Sequence, residues 1–342
     1  MSAVPGEPLL LVTGATGLVM SHVVRVWLEA HPDGRAVAVD LAPPDRVVAE
    51  FFAPVAARLE MRAGDVRDAA FWDRIGQDFQ VSHLVHGAAV TSVKRMTVRD
   101  DGSPDMAGAR PALDVNIMGT LQTLAWAARQ PGLTRAVVVS SGSVYAPEGP
   151  SPLSEDAAID PDGLYGVSKY VGELLAAQAA RRFGLAAVAV RLSSVYGPLD
   201  RDTGVRAVAS VPGTLLRAAL AGEELRLSGL DARGDYIQAG DVGRAIAALL
   251  DAPSLRHGVY NIAYGEAASL SDLADLVAGL VPGARWRESE PSEAHLALES
   301  HPAGGRWGAY DIARIAADCG WRPRPLREAL AEYRDWLAAH PY

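Results

Sequence analysis

Short apolar runs of strand length alternate with longer helical stretches through most of the chain. Seven of these runs are predicted strands, at residues 9–13, 36–40, 59–63, 83–86, 136–140, 187–192 and 259–262. Most are continuous runs of Val, Leu and Ala, as expected for strands that are covered on both faces. The alternation of such strands with helices predicts the α/β class and a doubly wound parallel sheet, the Rossmann fold.

After residue 193 the pattern loosens into connections rich in Gly, Pro and charge. Helices are predicted there over residues 212–221, 241–250, 270–280 and 326–338. We therefore predict a smaller C-terminal domain that covers the substrate. The predicted boundaries assign residues 1–192 and 236–263 to the dinucleotide-binding domain, and residues 193–235 and 264–342 to the substrate-binding domain.

Composition narrows the functional classes. The chain has 342 residues, 49% of them hydrophobic, and a formal net charge of -9 without a Lys/Arg-rich run, which disfavours nucleic acid or an anionic membrane as partner. No apolar run approaches the length of about 18 residues that a membrane span needs, and the first residues lack a signal-peptide pattern. The single cysteine, Cys319, and scattered histidines predict neither a disulfide nor a metal site, and a cytoplasmic location is expected.

A strand, a glycine-rich turn and the start of a helix follow one another at residues 9–20, with the sequence LLLVTGATGLVM. This arrangement turns backbone N–H groups and a helix N-terminus toward a diphosphate. The groups predicted to hold it belong to Gly14, Thr16, Gly17 and Leu18. Met20 stands where the dinucleotide fingerprint has its third glycine, so we expect a wider separation of helix and strand or a side chain turned along the phosphates.

Two acidic residues follow the next predicted strands. Asp40 ends the second strand, where a carboxylate accepts hydrogen bonds from the adenosine ribose and repels a 2′-phosphate. NAD is therefore predicted in preference to NADP, although Arg46 nearby is a contrary signal. Asp65, with Val66, follows the third strand and is predicted to receive the adenine amino group; a solvated turn aspartate is the alternative.

A tyrosine and a lysine at i, i+4 spacing open a helical stretch, which places Tyr165 and Lys169 one turn apart on one face. A tyrosine with an ordinary pKa of about 10 needs a nearby cation to act as a base at neutral pH. Tyr165 is thus the predicted general base that takes a hydroxyl proton while hydride leaves the same carbon, and Lys169 also holds the nicotinamide ribose. Ser141 ends a buried strand and is predicted to donate to the substrate oxygen.

Further motifs run nearly from end to end of the chain. They are TGATG at 13–17, HGAA at 86–89, NIMGT at 116–120, SSGSVY at 140–145, YGVSK at 165–169, RLSSVYGP at 191–198, GDYI at 234–237 and GWRP at 320–323. With Asp40 and Asp65, they make the chain resemble the extended short-chain dehydrogenase/reductases, the NAD-dependent epimerase/dehydratase group that includes UDP-galactose 4-epimerase.

The resemblance implies roles for particular residues. Gly87, Ala88, Ala89 and Asn116 are expected to line the cofactor, and Ser141, Tyr165 and Lys169 to form the catalytic triad. The family commonly dimerises through the helix after Asn116 and the helix that carries Tyr165, so a homodimer is expected.

The chain departs from the family where the family grips a nucleotide diphosphate. Ser194 replaces the usual asparagine, and Arg233 is displaced by one residue from the usual R-D-F. The segment 91–111 is longer than usual, and its Lys94, Arg95, Arg99 and Arg110 could recognise an anionic group, although Asp100, Asp101 and Asp105 equally suit a solvated loop. The candidate substrate contacts are Thr91, Ser143, Ser194, Arg201 and Arg233, with Arg206 and Arg306 as further anion contacts.

Three hypotheses remain open. The first, which Ser194 and Gly234 favour, is a dehydrogenase that oxidises a hydroxyl of a sugar or sugar acid with NAD. The second is a nucleotide-sugar epimerase of the UDP-hexose type that retains its NAD. Dehydration is the least favoured chemistry, because Gly142 and Ser143 follow the catalytic hydroxyl where dehydratases carry acidic residues. The third is a non-catalytic NAD sensor, against which the intact Ser141, Tyr165 and Lys169 argue.

Overall fold

The computed structural model describes residues 7–93, 103, 107–203, 209–299 and 304–340. Its thirteen strands are β1 Leu9–Thr13, β2 Arg35–Asp40, β3 Leu59–Ala63, β4 His83–His86, β5 Arg135–Val139, β6 Ala187–Leu192, β7 Ser194–Tyr196, β8 Leu225–Ser228, β9 Arg233–Gln238, β10 Val259–Ile262, β11 Ala267–Ser269, β12 Trp286–Glu288 and β13 Leu296–Ala297. Seven of them form a parallel sheet in the order β10-β6-β5-β4-β1-β2-β3. All seven predicted strands are confirmed to within one residue.

Eleven α-helices among the described residues cover both faces of this sheet or belong to the C-terminal layer. They are α1 Leu18–Ala30, α2 Arg46–Phe52, α3 Ala69–Asp78, α4 Arg110–Leu113, α5 Thr120–Ala127, α6 Leu164–Phe183, α7 Val211–Leu220, α8 Ala239–Asp251, α9 Leu270–Leu280, α10 Ala313–Cys319 and α11 Leu326–Ala339. Alternate residues of β1 enter opposite cores: Leu10 and Val12 pack in the core formed with α1 and α8, and Leu9 and Leu11 in the core formed with α3, α5 and α6. The predicted doubly wound fold is confirmed.

The C-terminal part is not purely helical. Two three-stranded sheets, β11-β9-β7 and β12-β8-β13, lie with α7, α9 and α11 around a further apolar core. Their strands have two to six residues and lie among glycines and charged residues. Periodicity did not reveal them, because such short runs carry too few apolar positions to show a period of two.

The strand order reverses between β1 and β4, and such a switch point opens a crevice at the carboxyl ends of the strands. Gly14, directly after β1, has a φ of +72°, and a Cβ there would lie 2.8 Å from the backbone nitrogen of Ala88. Only glycine therefore lets the turn after β1 approach the turn after β4 so closely.

Two kinds of feature are absent from the described residues. In that part of the chain no helix is long and apolar enough to cross a membrane. The same residues contain no group of three or more His, Cys, Asp or Glu side chains that could hold a metal ion.

Candidate active site

A long groove of about 840 Å³ runs across the carboxyl ends of the strands and under the C-terminal layer. One end is lined by the turns after β1 to β4, which include Gly14, Thr16, Gly17, Leu18, Met20, Asp40, Leu41, Asp65, Val66, Gly87, Ala88 and Ala89. Its middle contains Ser141, Tyr165 and Lys169. The other end is lined by Leu192, Ser193, Ser194, Leu199, Arg201, Thr203, Ser210, Arg233, Gly234, Tyr236, Leu298, Glu299 and Trp307, among others.

The glycine turn fits a dinucleotide, with one difference from expectation. Gly14, Gly17 and the N-terminal residue of α1, Leu18, line the groove, and no Cβ intrudes at the two glycines. The Thr16 N–H, however, donates to Asp40 Oδ2 at 2.9 Å, and its hydroxyl donates to the same oxygen at 2.7 Å. Thr16 therefore holds the Asp40 carboxylate in place, and its N–H does not point toward a diphosphate.

Met20, at the position of the fingerprint's third glycine, lines the groove. Its side chain is buried and packs against the backbone after β4, so that a Cβ at Gly87 would lie 2.2 Å from Met20 Sδ. The volume that a third glycine would leave open is filled by a thioether on the floor of the groove. Met20 and Gly87 consequently depend on each other.

Charged residues at the adenosine end have defined partners. The Arg67 guanidinium donates to Asp65 Oδ2 at 2.6 Å, and this contact lowers the pKa of the Asp65 carboxyl. An adenine amino group would have to share that carboxylate with Arg67. Arg46 lies 3.8 Å from Glu50 on the solvent side of α2 and is not among the described residues that line the groove. Its position therefore does not support binding of the 2′-phosphate of NADP.

The three predicted catalytic residues lie together. Lys169 Nζ donates to the Val139 carbonyl at 2.8 Å and lies 5.9 Å from the centroid of the Tyr165 ring. Burial lowers the pKa of Lys169 to about 8. Ser141 Oγ accepts from the Ser143 N–H at 3.1 Å. The arrangement provides a phenol, a buried ammonium group and a hydroxyl in one groove.

Asn116 lies behind the groove and is not one of the described residues that line it. Its amide oxygen accepts from the Val90 N–H at 2.8 Å, and its amide nitrogen donates to Ser168 Oγ at 3.0 Å. Ser168 in turn donates to the carbonyl of Tyr165 at 2.7 Å. Asn116 stands in the π-helical turn Asp114–Gly119, a local widening that often marks functional sites. Its role here is to join the turn after β4 to the catalytic helix.

A buried ion pair supports the end of β5. Glu173 receives Arg191 Nε at 2.9 Å and Nη2 at 2.7 Å, and its Oε1 also accepts from the Ser140 hydroxyl at 2.6 Å. Both charged side chains are at most 5% exposed. Because Ser140 directly precedes Ser141, this network fixes the strand end that presents the catalytic hydroxyl. Sequence analysis did not assign a role to Glu173, although it lies one turn after Lys169 on the same helix.

Glycine is required at position 142 for a steric reason that the sequence could not reveal. A Cβ at this position would lie 1.9 Å from the hydroxyl oxygen of Tyr310. Tyr310 is buried, and its N–H donates at 3.2 Å to Asp235, whose carboxylate also accepts from Ser193 Oγ at 2.8 Å. The position next to Ser141 therefore has no room for a side chain.

The predicted substrate contacts separate into two groups. Thr91, Ser194, Arg201 and Arg233 line the groove, and Arg233 donates to the Ala267 carbonyl at 3.2 Å. Arg201 forms an ion pair with Asp45, which lies across the groove on the adenosine side.

The other predicted contacts are absent from the groove lining within the described residues. Ser143 bonds with Ser141, Arg306 forms a two-point ion pair with Asp162, and Arg110 is 83% exposed beside Asp114. Lys94, Arg95, Arg99, Asp100, Asp101, Asp105 and Arg206 lie outside the described residues.

Helix α7 points its N-terminus at the substrate end, but a carboxylate of the chain already occupies it. Asp200 is fully buried, and its Oδ2 accepts from the Ser210 N–H at 3.0 Å and from the Ser210 hydroxyl. A Cβ at Gly213 would lie 2.8 Å from the same oxygen. A substrate phosphate in this position would have to displace a side chain of the chain itself.

Sequence analysis missed the contribution of the last segment of the chain. Leu298, Glu299 and Trp307 line the substrate end, although none belongs to a recognised motif. An isolated tryptophan outside a periodic pattern was the one available signal.

A doubly wound parallel sheet whose groove contains a glycine turn together with serine, tyrosine and lysine side chains is typical of oxidoreductases that transfer hydride together with a proton. Residues 10–263 match the sequence profile of the NAD dependent epimerase/dehydratase family. The chain belongs to this family, and it is an NAD-dependent enzyme, as the sequence predicted.

Similar proteins cover nearly the whole chain. It is 30% identical to a UDP-glucose 4-epimerase of Mycolicibacterium smegmatis over 94% of this chain and 96% of that protein. It is 29% identical to a dTDP-4-dehydro-6-deoxy-D-allose reductase of Streptomyces bikiniensis over 97% of this chain and 96% of that protein. The crystal structure of UDP-glucuronic acid 4-epimerase from Bacillus cereus with UDP-glucuronic acid and NAD has the same fold, with a TM-score of 0.77, 23% identity, and coverage of 97% of this chain and 99% of that one.

Proposed function

We propose that the enzyme oxidises a hydroxyl of a sugar or sugar acid, with Tyr165 as the base. The observation that carries the proposal is the position of Ser141, Tyr165 and Lys169 in the groove that also contains the dinucleotide turn. NAD, when bound, accepts the hydride from the carbon that bears the hydroxyl. Tyr165 takes the hydroxyl proton at its phenolic oxygen, and Ser141 donates a hydrogen bond to the substrate oxygen.

Lys169 has two functions in this proposal. Its ammonium, held by the Val139 carbonyl, favours the phenolate form of the neighbouring Tyr165. It also donates to the nicotinamide ribose. The remaining cofactor contacts proposed are the turn Gly14, Gly17 and Leu18, the ribose carboxylate of Asp40 held by Thr16, the adenine contacts Asp65 and Val66, and the backbone of Gly87, Ala88 and Ala89, with Asn116 acting from behind.

Dehydration is not part of the proposal. Resemblance to the dehydratases would require an acidic side chain directly after the catalytic hydroxyl, and Tyr310 fills that space. The chain has no carboxylate at Gly142 or Ser143 to take part in the removal of water.

A nucleotide-sugar epimerase is the second candidate, and the UDP-glucose 4-epimerases among the relatives favour it. In that reaction the hydride would return to the same sugar. Three features of the substrate end support a smaller substrate without a diphosphate: the buried Asp200 at the N-terminus of α7, the exposed Ser194, and the engagement of Arg201 with Asp45.

One assay distinguishes the two candidates. Purified enzyme with added NAD is incubated with D-galactose, D-glucuronate and UDP-glucose, while absorbance at 340 nm and product isomers are followed. We expect stoichiometric NADH from a free sugar or sugar acid. Isomerised UDP-glucose without net NADH would instead establish the epimerase. In either case Tyr165→Phe should lower turnover about 10²- to 10⁴-fold and leave NAD affinity nearly unchanged; near-normal turnover would remove Tyr165 from its role.

We also retain the domain division into residues 1–192 with 236–263 and residues 193–235 with 264–342. All seven strands of the large sheet fall in the first part. The cytoplasmic location remains a prediction from composition.

We propose a homodimer through α5 and α6. Large apolar side chains are exposed along this surface, with 44% of Met118, 40% of Leu121, 39% of Val167 and 47% of Leu174 accessible. Such a concentration on two neighbouring helices and the turn just before α5 is typical of an interface. Analytical ultracentrifugation should show a dimer that Leu121→Glu with Leu174→Glu converts to a monomer, whereas a monomeric wild-type protein would refute this assignment.

A further inference from the structure

We propose that Trp307 is a stacking platform for the sugar ring that is oxidised, and that it selects substrates by ring shape. The inference rests on the proposed function and extends it to a residue that lies in none of the motifs. Trp307 is half-buried and lines the same groove as Tyr165 and Ser141.

The turn that carries Trp307 is anchored to the segment after the catalytic strand. Trp307 ends the short helical turn Gly305–Trp307, and the N–H of Gly305 donates to the Gly149 carbonyl at 3.0 Å. A Cβ at Gly305 would lie 2.2 Å from the carbonyl oxygen of Pro147. Such close backbone packing gives the indole a fixed base.

One face of the indole is covered by a cation with a fixed position. The Arg306 guanidinium carbon lies 4.9 Å from the ring centroid of Trp307. The same guanidinium donates two hydrogen bonds of 2.6 Å to Asp162, which lies just before the helix that presents Tyr165. The orientation of the ring is thereby linked to the catalytic base.

A second contact links the same turn to the catalytic serine. The hydroxyl of Tyr310 donates to the Arg306 carbonyl at 3.1 Å and lies against Gly142, the neighbour of Ser141. The platform is therefore tied to both Tyr165 and Ser141. This location favours the ring that reacts over a nucleobase at the far end of the substrate.

The chemistry of the surroundings suits a sugar face. One side of a pyranose ring presents weakly positive C–H groups, which pack favourably on the negative face of an aromatic ring. Two arginines of this layer, Arg201 and Arg306, are engaged in ion pairs with Asp45 and Asp162. Recognition by shape and C–H contact therefore accounts for the binding of a sugar ring at this end.

The test compares Trp307→Leu and Trp307→Phe with wild type and with Trp286→Leu, the same change at a tryptophan that does not line the groove. D-galactose, D-glucuronate and UDP-glucose are the probes, and KM, kcat and NAD affinity are measured. We expect Trp307→Leu to raise KM about 3- to 12-fold with little change in kcat or NAD affinity, and Trp307→Phe to stay within about 3-fold.

Fluorescence provides a second measurement. The sugar that is turned over should change tryptophan emission in the NAD-loaded wild type, and this change should be lost in Trp307→Phe, which keeps an aromatic ring. Equal KM values for Trp307→Leu and Trp286→Leu would overturn the proposal. A second outcome would also overturn the proposal: Trp307→Leu loses both the binding of UDP-glucose and inhibition by UMP, while its KM for free sugars is unaffected. A base would then occupy the platform. A wild-type enzyme that binds NAD but converts none of the probes would overturn the proposed function itself, and this inference with it.

Discussion

Lys169, the proposed catalytic lysine, should destabilise the folded protein. Lys169 is 9% exposed, and its ammonium has the Val139 carbonyl as hydrogen-bond acceptor at 2.8 Å. Burial lowers its pKa from 10.5 to about 8. Lys169→Met removes the charge and retains most of the side-chain volume, so the comparison isolates the cost of the buried ammonium.

The size of this destabilisation follows from the pKa shift of Lys169 on folding. Each pKa unit corresponds to about 1.4 kcal/mol, so a shift from 10.5 to about 8 is a penalty on folding of about 3 kcal/mol at pH 7. The variant leaves the Val139 carbonyl without its donor, which costs about 1–2 kcal/mol. We therefore expect Lys169→Met to be about 1–2 kcal/mol more stable than wild type at pH 7 and to have almost no activity.

The difference in stability between wild type and Lys169→Met should depend on pH. The folded pKa is lower than the unfolded one, so the unfolded chain binds more protons between the two values, and the penalty is complete below about pH 8 and disappears as the pH approaches 10.5. The advantage of the variant should shrink over that interval. Urea unfolding of nucleotide-free protein at pH 7 and pH 10 measures it. A variant that is less stable than wild type at pH 7, by the same amount at both pH values, would refute the reasoning.

Two further predictions concern residues around the groove. Gly142→Ala should lower stability by about 1–3 kcal/mol and reduce turnover, because its Cβ would meet the Tyr310 hydroxyl at 1.9 Å. Thermal unfolding and activity measurements check this. If the clash is the cause, Tyr310→Phe in the same chain should restore part of the stability. Asp45→Asn should speed NAD release about 2- to 5-fold at low salt, since it removes the ion pair with Arg201 across the groove but keeps an oxygen to cap α2, as Asp45 does for the Val48 N–H. Stopped-flow release measured against salt checks the second prediction: wild type should approach the variant at high salt, and identical low-salt rates would show that the pair does not retain the cofactor.

The strands, the glycine turn and the positions of Ser141, Tyr165 and Lys169 could be predicted from the sequence, because each depends on a local pattern. Buried parallel strands appear as apolar runs, and the residues that directly follow them must lie at the carboxyl edge of the sheet. The i, i+4 spacing of a tyrosine and a lysine likewise fixes their shared helix face without knowledge of any other element.

The tertiary structure alone decided which side chains those residues meet. Arg306 reaches Asp162 across 144 residues of chain, and Arg201 reaches Asp45 across 156. Gly142 appeared in the sequence as a missing acidic residue, whereas the structure gives its cause, the hydroxyl of Tyr310. Such contacts depend on how whole elements pack, and a single sequence carries no local period that reports them. The sequence by itself thus determined the sheet, the dinucleotide turn and the family, and the packing of the C-terminal layer decided the shape of the groove around the proposed catalytic residues.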